Sequence, residues 1–537
     1  MNKFFAFCIV VFSVVLTFAQ DSPTDFLPAD FHKERRAAVR EKMPPNTVAV
    51  FFANAERNRA NDVDYIYHQD PDFYYLTGYK EPNAVLVLFS DVQENTEGKG
   101  YDEMLYVQER DPRAEQWNGK RLGIEGAKSL LGFEQAFNGK EFAKSAIDFK
   151  AFDKVFFFDF KNDYRDKRGD ADLFELIKSF KEKTDYPSDF NATKQRLYSM
   201  IASVTNENRA TVSQTLKRYL QADEDLKEDE LLRSFVEAND DLLISDIKDK
   251  VALQLDANNL DSTFLIEIMG ALRETKTEEE MVLLKKAVEI SAVGQIEVMK
   301  AMHPNMSETE IQGVHEYVYK KYGAEYEGYP SIVGGGNNGC ILHYIENNKT
   351  QVGDDLVLMD LGAEYHGYTA DVTRTIPANG KFSPEQKLIY DIVYDAQEAG
   401  IKASVIGAPF RAPGEAASKV VAARLMDLGI IANTSEAKTY FPHGTSHYLG
   451  LDVHDRGTYE AFKPNTVITV EPGIYIPEGS DCDKKWWGIA VRIEDDILIT
   501  EDGPVNLSAM APRTTEAIED VMKQPSPLDD FLLPKLD

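Results

Sequence analysis

Three of the chain's nine histidines, His443, His447 and His454, fall in FPHGTSHYLGLDVHD, residues 441–455. Imidazoles this close together suggest metal ligation or proton handling. His443 and His447 share the spacing of the zinc-protease helix H-E-x-x-H. Gly444 stands where that motif needs its glutamate base, and Gly444 with Gly450 argues against a long helix. The histidines therefore need partners from other segments.

Those partners are suggested by two acid pairs. LVLMDLGAEYHGYTADVTRT (356–375) reads as two strands about a turn near His366–Gly367. Asp360 and Asp371 lie equidistant from the midpoint between Tyr365 and His366, which predicts cross-strand neighbours on one face. The run 466–500 repeats the arrangement: Glu471 and Glu494 are symmetric about a loop centred near Cys482. Arg492, two residues before Glu494, faces the same way and pairs most simply with the crowded acids. Opposed carboxylates repel unless they are exposed, share a proton or hold a cation. Any one of these acids alone reads as an ordinary hairpin residue. Two pairs beside a histidine cluster suggest a cage of four carboxylates and an imidazole. Such a cage suits two divalent cations of the Mn²⁺ kind better than a sulfur-bound zinc. Two such ions can hold a water and lower its pKa, which is hydrolase chemistry.

In order along the chain, MDLGAEYHGYTADVTRT, HGTSHYLGLDVHD, TVEPGIYI and VRIEDD resemble the metal-site motifs of the M24 metallopeptidases, specifically the Xaa-Pro peptidases. DFYYLTGYKEPNAVLVL (72–88) and RDPRAEQWNGKRLG (110–123) resemble N-terminal segments of aminopeptidase P. The resemblance implies an α/β (α+β) chain: an N-terminal creatinase/aminopeptidase P-like α/β domain, then a C-terminal pita-bread metallopeptidase domain. It implies Asp360, Asp371, His447, Glu471 and Glu494 as ligands of two divalent metal ions, with Asp371 and Glu494 bridging. Glu471 would also shuttle a proton. His343 in GCILHY would stand near the substrate carbonyl, and His443 and His454 would contact substrate or the tetrahedral intermediate. Arg492 joins this catalytic group through the acids. Trp117 matches a family tryptophan near the substrate pocket, although a lone tryptophan serves packing as often. The connection from His454 to Glu471 is shorter than in typical bacterial relatives, so contacts made there in relatives do not transfer.

The activity this implies is release of the first residue from peptides with proline second, by a hydroxide bridging the two metals, with Mn²⁺ the expected ion. A prolidase would share every ligand but accept only dipeptides. A non-catalytic peptide-binding relative would be expected to have lost ligands, and all five are present. A homo-oligomer, dimer or tetramer, is implied by resemblance alone.

The elements that must position these residues follow from the rest of the chain. With 537 residues, 43% hydrophobic and 28% charged, two or three domains are expected. A net charge of −31 disfavours nucleic-acid partners. Residues 1–19 read as a signal peptide, with Lys3, an apolar run from Phe4 to Phe18 and Ala19 before the cut. The mature protein is then expected in the periplasm or the medium. No other stretch is apolar enough to span a membrane, and the mature chain keeps only Cys340 and Cys482.

Residues 20–185 alternate strand-like and helical runs, and 186–270 read as a charged helical linker or extension. A capping box, Thr277 with Glu280, opens a second domain spanning 271–515, and a proline-containing tail, 516–537, closes the chain. GGGNNG fits G-x-G-x-x-G, but the strand-like CILHYI after it argues for a loop delivering His343 rather than a nucleotide site. His32, His68, His303 and His315 default to surface or packing roles, and His366 at the turn is expected to be solvated.

Overall fold

The computed structural model describes residues 23–530 and Leu533; the leader assigned to residues 1–19 lies outside them. The apolar run TVAVFF becomes β1 (Thr47–Phe52), whose first five residues are all buried, as an interior strand requires. β2 (Asn58–Ala60) and β3 (Val63–Asp64) form a small separate hairpin. β4 (Val85–Glu94), β5 (Gly100–Val107), β6 (Ala136–Asn138), β7 (Lys154–Phe157) and β8 (Leu260–Asp261) join β1 in one sheet of order β6-β5-β4-β1-β7-β8. β1 runs antiparallel to β4 and parallel to β7.

β8 returns to this sheet only after the charged helical stretch. That stretch is therefore an insertion between β7 and β8. Its helices Ala192–Ala202, Arg209–Ala222, Glu230–Glu237 and Asp241–Leu255 close on a core of their own that includes Leu197, Leu216, Leu232, Phe235 and Ile247. Between β3 and β4 a short helix, Pro71–Thr77, starts where the Asp70 carboxylate accepts the Phe73 N–H and stops at Gly78 with φ 68°. All but its first residue are buried, so it carries Asp72 into the junction between the two halves.

The second half opens with the Thr277–Glu280 capping box at the start of helix Glu278–Ala301. This helix, with Glu308–Lys321, Pro384–Ala403 and Ala412–Asp427, backs a group of short antiparallel strands. They are β9 (Tyr326–Glu327), β10 (Ile332–Gly335), β11 (Leu356–Leu361), β12 (Ala363–Tyr365), β13 (Tyr368–Thr369), β14 (Val372–Pro377), β15 (Val467–Val470), β16 (Gly473–Ile476), β17 (Ile489–Arg492), β18 (Asp495–Thr500) and β19 (Gly503–Asn506). They pair as β10-β11-β14, β13-β12-β9, β15-β18-β19 and β16-β17.

One apolar core runs through both halves, joining Phe73, Tyr75 and Leu86 to Leu284, Val288 and Met359. The segment read as a tail begins with a helix, Thr515–Val521, which Thr514 caps and which is seated by the fully buried Ile518. Among the described residues no helix is long and apolar enough to cross a membrane.

Candidate active site

The two acid pairs sit on two strand ladders, and each ladder keeps one register. β11 pairs with β14 so that Asp360 faces Thr373, and the tip pairs Tyr365 with Tyr368. The turn is therefore His366–Gly367, with both residues at positive φ, 51° and 90°. Two-residue hairpins favour this conformation because it matches the twist of their strands. Asp371 consequently lies diagonal to Asp360, two residues from the symmetric position expected from sequence, and still on the same face. In the second ladder Val470 faces Asp495 and Gly473 faces Arg492, which places Glu471 opposite Glu494 as expected. Pro472 interrupts the strand between them, and the Glu471 N–H instead donates to Thr445 O at 2.9 Å. The ladders are tied together by Glu494 N–H donating to Thr373 O at 3.1 Å.

Asp360, Asp371, Glu471, Glu494, His343, His443, His447, His454 and Arg492 all line one cavity of about 630 Å³. Trp117 does not line it, and its side chain stands free on the surface. The GGGNNG segment does form a loop: Gly334 lies so close to Gly339 that a side chain there would strike backbone at 2.7 Å. Tyr344 pins the following segment through Glu308 at 3.0 Å, holding its exposed neighbour His343 at the cavity mouth.

One ligand-type atom each from Asp371, His447 and Glu494 lie within 4.8 Å of one another. His447 Nδ1 meets the Tyr448 carbonyl at 3.0 Å and must donate there. Its Nε2 lone pair is left facing Asp371 at 3.4 Å and Glu471 at 3.6 Å, the tautomer a metal ligand needs. Burial pushes the Asp371 and Glu494 carboxyls well above the usual carboxylate range, and neighbouring acids push them further. Glu471 is raised for the same first reason, with His447 and Arg492 opposing. Asp360 goes the other way: burial raises it, but Arg492, which donates to it directly, and the Tyr329 hydrogen bond together lower it. Crowded, desolvated oxygens with one imidazole and one guanidinium leave negative charge uncompensated, and divalent cations fit such a donor set.

Burial and the Arg492 charge lower His443 to about 4. Its Nδ1–H donates to Gly444 O at 2.6 Å, so Nε2 accepts the Tyr475 hydroxyl at 2.8 Å. That hydroxyl in turn accepts from Arg492 Nη1 at 2.9 Å, which steadies the guanidinium on Asp360. His454 is lowered to about 4 by burial and the adjacent His447, whose ring lies 4.2 Å away.

Besides Tyr475, sequence spacing missed three contributors. The Tyr329 hydroxyl lies 2.7 Å from Asp360 Oδ1 and 2.5 Å from Asp371 Oδ1. Thr373 donates to Glu494 at 2.6 Å, and Asp496 accepts the Asp371 N–H at 3.2 Å. Thr373 was within reach, since it stands two residues past Asp371 at the start of β14; Tyr329 and Tyr475 carry no local signal.

His366 is a correction. It is buried rather than solvated, between Asp25 at 2.8 Å and Glu325 at 2.6 Å, with Phe26 stacked at 3.7 Å. The N-terminal segment covers the hairpin tip, which local sequence cannot reveal. Of the other histidines, His32 and His315 are buried, His303 is exposed and His68 pairs with Glu364 at 2.9 Å.

A sheet-borne cage of carboxylates with one histidine, entered past further histidines, defines a hydrolytic metal site. The profile of metallopeptidase family M24 matches residues 282–501, and that of the aminopeptidase P N-terminal domain matches 32–154. The Xaa-Pro aminopeptidase of Haemophilus influenzae is 32% identical over 508 residues, covering 92% of this chain and 98% of that one. The Xaa-Pro aminopeptidase of Escherichia coli is 32% identical over 91% of this chain and 97% of its own. Among solved structures, the Pseudomonas aeruginosa aminopeptidase PepP superposes with TM-score 0.73 at 29% identity, covering 93% of this chain and 99% of that one. Aminopeptidase P from E. coli with the inhibitor Pro-Leu gives 0.71 at 31% identity, covering 93% and 98%. The chain belongs to metallopeptidase family M24, in its aminopeptidase P branch.

Proposed function

We propose that the protein is a dimetal Xaa-Pro aminopeptidase, an enzyme that removes the first residue from peptides with proline second. The observation that carries this is the convergence of Asp360, Asp371, His447, Glu471 and Glu494 on one cavity whose mouth holds His343 and His454. Proline calls for a dedicated enzyme because its ring fixes φ and removes the amide N–H that extended-strand peptidases use.

Asp360, Asp371, His447, Glu471 and Glu494 would hold the two divalent ions, Mn²⁺ by the oxygen-rich donor set, with Asp371 and Glu494 shared. Ions held there supply an acidified water and polarise the scissile carbonyl. Glu471, raised by burial and open to the cavity, would take up a proton and return it to the leaving proline nitrogen. His343 would stand near the substrate carbonyl, His454, lowered to about 4, would meet the substrate as a neutral imidazole, and His443, whose ring nitrogens are taken by Gly444 and Tyr475, would border the substrate while steadying Tyr475 and Arg492. Arg492 keeps Asp360 ionised.

Export also belongs to the proposal and rests on the apolar run Phe4–Phe18. A homo-oligomer rests on family resemblance.

The test uses the mature chain, stripped by chelator and reloaded with Mn²⁺, on Gly-Pro, Gly-Pro-Ala and Gly-Pro-Ala-Ala. Turnover lost on stripping, restored by Mn²⁺ and with higher kcat/KM for the longer peptides supports the reading. Turnover of Gly-Pro alone makes the protein a prolidase, and full activity without metal overturns the site.

A further inference from the structure

The loop bearing two of the site's histidines is anchored from outside the catalytic half. His447 and His454 flank the segment 448–453, and the Asp455 N–H donates to Tyr448 O at 2.9 Å, closing it into a ring. The Asp455 carboxylate then turns away from the cavity into a buried ion cluster. Arg273 donates through Nη2 to Asp455 and through Nη1 to Asp72 at 2.7 Å, and Lys276 Nζ reaches Asp455 at 3.0 Å. The side chains of Arg273, Lys276, Asp72 and Asp455 are each at most 2% exposed. Arg456 covers Asp72 from the rim at 2.7 Å. Asp72 comes from the short helix Pro71–Thr77 of the N-terminal half, Arg273 and Lys276 from the connection between the halves, and Asp455 from the catalytic loop.

A buried cluster of this kind is poor evidence for stability. Desolvating each charge costs several kcal/mol, which good geometry does little more than offset. What it does supply is position, because a two-pronged guanidinium fixes the direction as well as the distance of both carboxylates. The packing confirms how narrow the tolerance is: a Cβ on Gly450 would meet Asp455 Oδ2 at 2.1 Å and Lys276 Nζ at 2.9 Å. The loop is thus set against the first half by ions on one side, and by the contact of the His454 and His447 rings on the other.

We infer that Arg273, with Asp72 and Asp455, is a positioning device that sets His454 against the peptide, so that the N-terminal half takes part in catalysis through a buried ion cluster rather than by touching substrate. This rests on the aminopeptidase reading for its assay but not for its geometry.

The test is a double-mutant cycle on the Mn²⁺-loaded full mature chain with Gly-Pro-Ala, crossing Asp72→Asn with His454→Ala. If the cluster acts through His454, Asp72→Asn lowers kcat/KM about tenfold or more in the native background and less than about twofold once His454 is gone. Equal losses in both backgrounds overturn the inference and leave a structural role. Should Asp72→Asn not fold, Arg456→Gln removes one contact to the same carboxylate from the partly exposed rim. It is expected to cost about fivefold, again only when His454 is present. A crystal structure of either variant gives a second readout. A His454 ring shifted from His447 with the metal ligands in place supports the inference, and an unmoved ring overturns it. A native enzyme that turns over no Xaa-Pro peptide would sink the aminopeptidase reading, while the ring position would still decide this one.

Discussion

Replacing Tyr329 with phenylalanine removes one oxygen and leaves the ring packing intact, which makes it a clean probe of the cage. The hydroxyl sits 2.7 Å from Asp360 Oδ1 and 2.5 Å from Asp371 Oδ1. One hydroxyl proton is shared between two carboxylate oxygens, so the pair is crowded and short of donors. Asp371 is the more strained of the two, raised by burial and then by Asp360. With cations bound, Tyr329 would donate to a carboxylate that is also a ligand and so fix its orientation. A hydrogen bond to a charged acceptor is worth roughly 1.5–3 kcal/mol net. At 1.4 kcal/mol per decade that is a loss of about 10- to 100-fold in affinity, the range seen when a ligand's supporting hydrogen bond is removed. Calorimetric titration of chelator-stripped Tyr329→Phe with Mn²⁺ at pH 7 measures this directly. Tyr329 also lowers both aspartates, so the deficit widens as pH falls and protons compete harder with the cation. A dissociation constant within twofold of the parent would refute the reasoning, whatever happened to turnover.

Glu471→Gln keeps the shape but loses a ligand charge and the proton carrier, and is expected to lower kcat by several orders of magnitude in a steady-state peptide assay. His366→Ala should destabilise the fold by roughly 1–3 kcal/mol in thermal unfolding, since it empties a buried, doubly paired site. The imidazole is lowered by burial but raised more by Glu325 and Asp25, so its contribution is complete below the free value of about 6.5 and is lost as pH rises through the folded value. Asp25, lowered chiefly by Tyr365, and Glu325, lowered by His366 against burial, lose theirs as pH falls through their folded values, so the mutational loss is largest near pH 5–6 and smaller at pH 8.5. Gly450→Ala should cost activity as well as stability, because its methyl enters the space of Asp455 and Lys276; equal kcat/KM to the parent would show that the loop relaxes freely.

What could be read in advance was what a single ladder encodes. The symmetry of Glu471 and Glu494 about their loop survives as a true register, and Arg492 follows because alternate residues share a face. The register of the first pair is displaced by two residues because the sequence symmetry centres the turn on Tyr365–His366, whereas the strands close on His366–Gly367. The error left both aspartates on the correct face, since the shift moves one strand by two residues relative to the other, and faces repeat every two. What stayed hidden is everything that reaches the site from a distant segment. Tyr329 precedes β10, which lies beside β11 rather than in the aspartates' own hairpin, and Asp72 is separated from Asp455 by most of the chain.

The same division explains why His366 was misjudged. A turn residue is solvated by default, and only the return of the N-terminal segment, with Asp25 and Phe26, buries it. Ligands within one hairpin are held by local pairing and are legible, whereas the groups that orient them are held by the packing of one half on the other. His68 on Glu364, Asp25 on His366 and Asp72 on Arg273 all cross that junction, and all meet either the aspartate hairpin or the connection between the halves. The N-terminal half therefore belongs to the active site as its support, and substitutions along the junction should change catalysis before they change metal content.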